Sequence, residues 1–227
     1  MLFLAVFLGF IAENIRENRV EQERGREYIH SIINDLKADT ALLAINISHF
    51  SKLLIQQDSV LVSFDKIDKG FNKTFFTNLR SFEGFPDFIY SDATIQQLKY
   101  SGGFRLIRNA KVVNSIMAYD SQIRRIMINE NLLGDALTKL GDIRNEIFNY
   151  KELGKQLNQY KKTEVQLEAE NFDILFTHDK IILSKYYNHL INYNGFLAGV
   201  KSEKMVTKKI ATRLIQFLQK EYAFGKD

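Results

Sequence analysis

Asp35 and Asp39 stand four residues apart, so a helix would place both carboxylates on one face, the arrangement used by carboxylate sites in helical bundles. Such sites also need Glu-x-x-His motifs on facing helices, a set the chain does not supply. Pairing of Asp35 and Asp39 with Arg or Lys of a neighbouring helix is therefore the expected role. Four histidines, His30, His49, His178 and His189, lie too far apart in sequence to make a local metal-ligand pair. His178 and Asp179 could still join a site assembled by folding, but a surface or core role is expected for each histidine.

Other chemistry is limited by what the chain lacks. It contains no Walker loop, dinucleotide-binding glycine pattern, HExxH or nucleophile elbow, and no cysteine. The missing cysteines remove disulfide scaffolds, thiolate zinc sites and cysteine nucleophiles together. The glycine cluster Ser101-Gly102-Gly103 follows a predicted helix rather than a strand, the wrong context for phosphate binding, and reads as a turn. Near the C-terminus Lys201, Lys204, Lys208, Lys209, Arg213 and Lys220 face only Glu203 and Glu221. No aromatic residue is interleaved between Lys201 and Arg213, so a solvated helix face is expected there rather than a nucleic-acid or lipid surface. No catalytic, cofactor-binding or metal-ligating residue is assigned.

The elements that would position these residues are helices. One proline, Pro86, and twelve glycines among 227 residues are too few for a chain of many tight turns, and 45% apolar content supports a real core. The net charge of +4 is a small excess over 31 basic and 27 acidic residues, so nucleic acid is not an expected partner.

Residues Met1 to Ala12 (MLFLAVFLGFIA) are uncharged and apolar all round, and charge becomes dense from Glu13 onward. A spanning helix needs about 20 apolar residues, so this segment covers roughly half of the hydrocarbon layer. It reads as the C-terminal half of a membrane span, contacting the bilayer through Leu2–Ile11. A cleaved signal peptide would need a basic start and a small residue where Phe7 or Phe10 stands. The remaining alternative is an ordinary buried helix start.

Beyond the charged segment a heptad stripe places Ile33, Thr40, Ile47, Leu54 and Leu61 on one row and Ile29, Leu36, Leu43, Phe50 and Phe64 on the other, broken at Gln57. A helix continuous to about Ile67 would be roughly 100 Å long. Residues 68 to 91 interrupt the pattern with Gly70, Gly84 and Pro86 and hold Phe71, Phe75, Phe76, Phe82, Phe85 and Phe88, the composition of an aromatic cap. Ser91 or Asp92 can N-cap a short helix through Tyr100, ended by Ser101-Gly102-Gly103.

A second long helix is expected from about Asn109 to about Tyr160, on Val112, Tyr119, Ile126, Leu133, Leu140 and Ile147 with Ile116, Ile123 and Leu137. Polar Glu130, Arg144 and Lys151 fall on that second row and suggest a partly buried or charge-paired stripe. A third runs from Thr177 and Asp179 to about Tyr222, with Ile182, His189, Phe196, Ile210 and Phe217 on one row and Tyr186, Tyr193, Val200 and Leu214 on the other. Gly195 and Gly199 are candidate bends. The expected fold is all-α: a long antiparallel bundle of three long helices and one short one, alternating in direction and extending from an N-terminal membrane helix. Its segments are 1–12, the half span; 13–67, the long amphipathic helix; 68–108, the aromatic-rich cap with its short helix; and 109–227, the remaining helices.

The stretches FLAVFLGFIAENIRENRVEQ, DLKAD at Asp35 to Asp39 and TIQQLKYSGGFRLIRN at Thr94 to Asn109 together give a chain that resembles a family of single-span envelope proteins common in Bacteroidota, for which no activity is assigned. The resemblance implies a short basic N-terminal segment, one membrane span and a helical domain beyond it. It implies no site residues. With a basic segment ahead of the span, the positive-inside rule places the helical domain in the periplasm, anchored in the bacterial inner membrane.

The expected function is that of a membrane-anchored, non-enzymatic scaffold or partner-binding protein, with helix faces available to a protein partner or to a second copy. The alternative is an extracytoplasmic sensor in which a small ligand binds between helices and shifts their packing.

Overall fold

The computed structural model describes residues 2–64, 84–152 and 175–224. Among these residues every regular element is a helix: α1 (Leu2–Phe64), α2 (Ala93–Tyr100), a 3-10 turn (Gly103–Leu106), α3 (Ala110–Ile147) and α4 (Lys180–Glu221). The only extended pairing among them is one antiparallel bridge between Phe148 and Leu175. The fold class is all-α, as composition and periodicity require.

The helix ends follow local chemistry. Asp179 caps α4 as its sequence position suggests: its Oδ1 accepts from the backbone N–H of Ile181 at 2.7 Å and of Ile182 at 3.3 Å. Asp92 occupies the N-cap of α2 but makes no side-chain cap bond, and its carboxylate accepts instead from Gln96 Nε2 at 3.3 Å. After Tyr100 the chain leaves the helix through Gly102, whose φ of 68° is the left-handed conformation that favours glycine. Helix α3 ends at Ile147, well short of the expected Tyr160. There Asn149 Oδ1 accepts from the backbone N–H of Glu152 at 3.3 Å, the local bond with which asparagine competes against helix continuation.

The described chain forms two compact units, each assembled from separate stretches: Met1–Ile45, Phe88–Arg125 and Lys204–Asp227 in the first, Asn46–Asp87 and Ile126–Glu203 in the second. In the first unit Arg108 donates to Asn18 Oδ1 at 2.8 Å, and Tyr119 donates to Asp39 at 2.7 Å. Sequence number therefore rises in the same direction along α1 and α3. Helix α4 runs the other way, its Glu221 accepting from Asn109 at the start of α3 at 2.6 Å. The α2 segment descends between them, from Ser91 beside Asp39 to Leu106 beside Gly25. Within the first unit direction thus alternates from helix to helix, and because the short helix takes the descending place, α1 and α3 are parallel there.

In the second unit one apolar cluster joins Phe50, Leu53, Val60 and Phe64 of α1, Leu133, Leu140 and Ile147 of α3, and Leu183, Tyr186, Leu190, Tyr193, Leu197 and Val200 of α4. Asn194 donates to Asp58 at 2.9 Å and the Phe64 ring lies 5.7 Å from Tyr186, which sets α4 antiparallel to α1 here too. Each such side chain taken fully out of water contributes roughly 1.5–3 kcal/mol.

Burial corrects the helical rows in two places. On α3 the first expected row is buried throughout, from Val112 to Ile147, and of the second row Ile116 and Ile123 are buried while Leu137 is half-buried. On α1 the row of Ile29, Leu36, Leu43, Phe50 and Phe64 is buried and includes Gln57, but Thr40, Ile47, Leu54 and Leu61 are only half-buried. The second buried row of α1 is Ile32, Asp39, Asn46, Leu53 and Val60. On α4 the row Tyr186, Tyr193, Val200 and Leu214 is buried, while Ile182, His189, Phe196, Ile210 and Phe217 flank it. The actual partner row is Leu183, Leu190, Leu197, Lys204, Ala211 and Leu218.

Of the aromatic cap, Phe85 lies 5.9 Å from the Phe50 ring and Phe88 is buried; Phe71, Phe75, Phe76 and Phe82 lie outside the described residues. At the other extreme, every described side chain from Phe3 to Arg19 is exposed. No described helix is long and apolar enough to cross a membrane.

Candidate functional site

Two buried carboxylates organise the first unit. Asp39 is 1% exposed. Its Oδ1 accepts the Ser91 backbone N–H at 2.8 Å and its Oδ2 accepts the Tyr119 hydroxyl at 2.7 Å. Desolvation pushes the Asp39 carboxyl above its ordinary range, an effect the bonds from Tyr119 and Ser91 partly oppose and the nearby Asp35 charge reinforces. Tyr119 is driven strongly upward by burial and by the Asp39 carboxylate. A tyrosine so shifted keeps its proton at neutral pH and donates it in the hydrogen bond to Asp39.

Asp120, the next residue on α3, points to a separate set of partners. Its fully buried carboxylate meets Lys99 Nζ at 2.8 Å, the Arg124 guanidinium one turn on, and the Tyr90 hydroxyl at 3.4 Å. Ser91 is thereby tied to α1 and Lys99 to α3, so the α2 segment is fastened at both ends.

Below these fastenings a cleft of about 490 Å³ opens between α1 and the Thr94–Leu106 segment. Arg24, Glu27, Tyr28 and Ser31 line it from α1, and Gln97 and Arg105 line it from the other side. Its closed edge depends on glycine: a Cβ at Gly25 would sit 2.5 Å from the Leu106 carbonyl oxygen, and one at Gly103 would sit 3.0 Å from Leu98 Cδ2. A second, shallower groove of about 630 Å³ lies in the second unit, where Ile191, Phe196 and Val200 flank Gly195 and Gly199, and Asn129 donates to Glu203 at 2.5 Å.

The expected Asp35 and Asp39 pair is present on one helix face, but neither is paired with a cation as expected. Asp39 is held by a hydroxyl and an amide, and Asp35 Oδ2 is buried with no hydrogen-bond partner among the described residues. The physical reason is position: Asp39 lies on the buried row, where Tyr119 and Ser91 reach it. His178 and Asp179 are exposed at the start of α4 and come together with neither cleft. His30 contacts Asn34 at 3.4 Å and the Phe224 ring at 5.8 Å, although Glu27 and His30 have the Glu-x-x-His spacing. His49 and His189 are half-buried. Among the described residues no group of His, Cys, Asp or Glu could hold a metal ion.

The basic C-terminal stretch is solvated at Lys209, Arg213 and Lys220, but Lys204 is fully buried and belongs to the core row. Asp120, Lys99 and the cleft carry no motif. Only the position of Asp120 beside a predicted core tyrosine could have drawn attention to it. No protein-family model, no curated protein and no solved structure matches the chain.

Proposed function

We propose that this chain is a membrane-anchored, non-enzymatic helical module of the bacterial envelope that holds a protein partner on its helix faces. The observation that carries this reading is the start of α1. Phe3, Val6 and Phe10 are 82%, 67% and 69% exposed, on a helix that continues without a break into the buried row beginning at Ile29. Exposed large apolar side chains on every side of a helix call for an apolar environment that the described residues do not provide. The bilayer is the environment that suits a segment apolar all round. A protein so attached would carry the helical part on one side of the membrane, the periplasmic side if the resemblance to the single-span family holds.

The partner-binding part of the proposal draws on the surfaces the core leaves free. The heptad rows are used inside each unit, so a partner would meet the outward residues, among them Ile45, Ile55 and Val62 of α1 and Ile191 of α4. The non-enzymatic part draws on the two buried carboxylates Asp39 and Asp120 of the first unit, which are enclosed and engaged by Tyr119 and by Lys99.

The test is fractionation of the protein with Leu4, Phe7, Leu8 and Ile11 replaced by serine. These side chains are exposed, so folding should be retained while the protein leaves the membrane fraction. A variant that remains membrane-bound would overturn the reading.

A further inference from the structure

We propose that the cleft between α1 and the Thr94–Leu106 segment binds a small zwitterion carrying a carboxylate and an ammonium group, of the free amino-acid class. The inference concerns the first unit alone and does not depend on how the chain is attached to a membrane. The cleft, at about 490 Å³, falls within the size range of small-molecule sites.

The charges facing it are unspent. Arg24 and Arg105 approach from opposite walls and Glu27 lies on the Arg24 side, yet none of the three makes a side-chain hydrogen bond or ion pair among the described residues. Arginine presents a planar fork matched to a carboxylate. A simple anion would find the two arginines but would be opposed by Glu27, whereas a zwitterion uses all three, its carboxylate on the guanidiniums and its ammonium on Glu27. Tyr28, Ser31 and Gln97 add uncharged hydrogen-bonding groups. One turn beyond Ser31, on the same face of α1, Asp35 keeps a buried carboxylate oxygen with no hydrogen-bond partner among the described residues, which adds to the negative character of that end.

The walls are also held in place before any ligand arrives. The Gly25 and Leu106 backbones are in direct contact, the Asp39 carboxylate fixes Ser91, and Asp120 fixes Lys99. A site whose walls do not have to be ordered on binding loses less entropy when it fills.

The experiment is titration calorimetry on the detergent-extracted full chain with the common L-amino acids, and with succinate and inorganic phosphate as anions lacking an ammonium group. At least one amino acid should bind. Arg105→Gln should weaken it about tenfold or more, the loss expected for one charge-assisted contact. Glu27→Gln should weaken the same amino acid by a similar factor. Both residues are exposed, so unchanged helicity by circular dichroism is expected for each variant. No binding of any amino acid up to about 10 mM would overturn the proposal, as would binding that neither substitution alters. Binding of succinate or phosphate that Glu27→Gln tightens would overturn it in favour of a plain anion site.

Discussion

The Tyr119 hydroxyl reaches Asp39 Oδ2 across 2.7 Å from a position eighty residues further along the chain. It lies on a buried row of α3 and faces a buried carboxylate on α1, so the contact joins two elements that sequence separates widely. Tyr119→Phe removes the donor and leaves that carboxylate short of a partner. Loss of a hydrogen bond to a charged, buried group costs about 2 kcal/mol, and urea denaturation should show a destabilisation of that order. An unchanged midpoint would mean the bond contributes nothing.

Asp39 should also give the protein a characteristic pH dependence. Its folded pKa is raised above the unfolded value, so its contribution is fully present below the unfolded value, about 4, and is lost as pH rises through the folded value. Asp39→Asn retains an acceptor oxygen and cannot ionise. The stability difference between variant and wild type should therefore shift in favour of the variant as pH rises from about 4. Parallel stability curves for the two proteins would contradict the assignment.

Tyr186 should behave in the opposite way from Tyr119. It is fully buried in the second unit and its hydroxyl has no hydrogen-bond partner among the described residues. Tyr186→Phe removes an uncompensated polar atom while keeping the ring that packs on Phe64 and Phe148. Stability should be unchanged or rise by up to about 1 kcal/mol, measured by the same denaturation.

Glycines of the long helices divide in the same testable manner. Gly25→Ala pushes a methyl group against the Leu106 carbonyl oxygen, where backbone must move, and should cost about 1–3 kcal/mol. Gly199→Ala meets nothing within 4 Å and should stabilise α4 by up to about 1 kcal/mol through helix propensity. Thermal melts of the two variants should move in opposite directions.

Asp120→Ala leaves Lys99, whose side chain is 23% exposed, without its buried partner. The expected loss is about 3 kcal/mol, as for other broken buried pairs. Arg124→Ala removes a side chain that is 52% exposed and should cost less than about 1 kcal/mol. A double-mutant cycle on Lys99 and Asp120 measures the pair directly.

The helices were legible because their apolar residues repeat faithfully, and α3 shows this best, with Val112 through Ile147 all buried as their spacing requires. The second buried rows of α1 and α4 lie one residue away from where apolar periodicity puts them. In each case polar residues occupy the displaced core row, Asp39 and Asn46 on α1 and Lys204 on α4. A search for apolar periodicity therefore settles on the neighbouring Ile33 and Ile47, or Ile182 and Phe196. The carboxylate network stayed hidden for a related reason. Ser91 supplies a backbone N–H, which no side-chain motif records, and Lys99 and Asp120 meet only after the chain has turned back on itself. The cleft draws its walls from residues 24–31 and 94–106, and nothing in either stretch alone marks it.

The parallel course of α1 and α3 has a consequence for biogenesis. A helix that packs against its immediate successor can fold as a hairpin while it leaves the ribosome, whereas α1 in the first unit meets only the short α2 segment before its long partner begins at Ala110. At about 5–20 residues per second, the row from Ile29 to Leu43 lacks its long-helix partner for several seconds before Tyr119 is synthesised. Newly made chain should therefore depend on holdase capture or prompt membrane delivery during that interval, and the distant α1–α3 pairing should limit the rate of refolding.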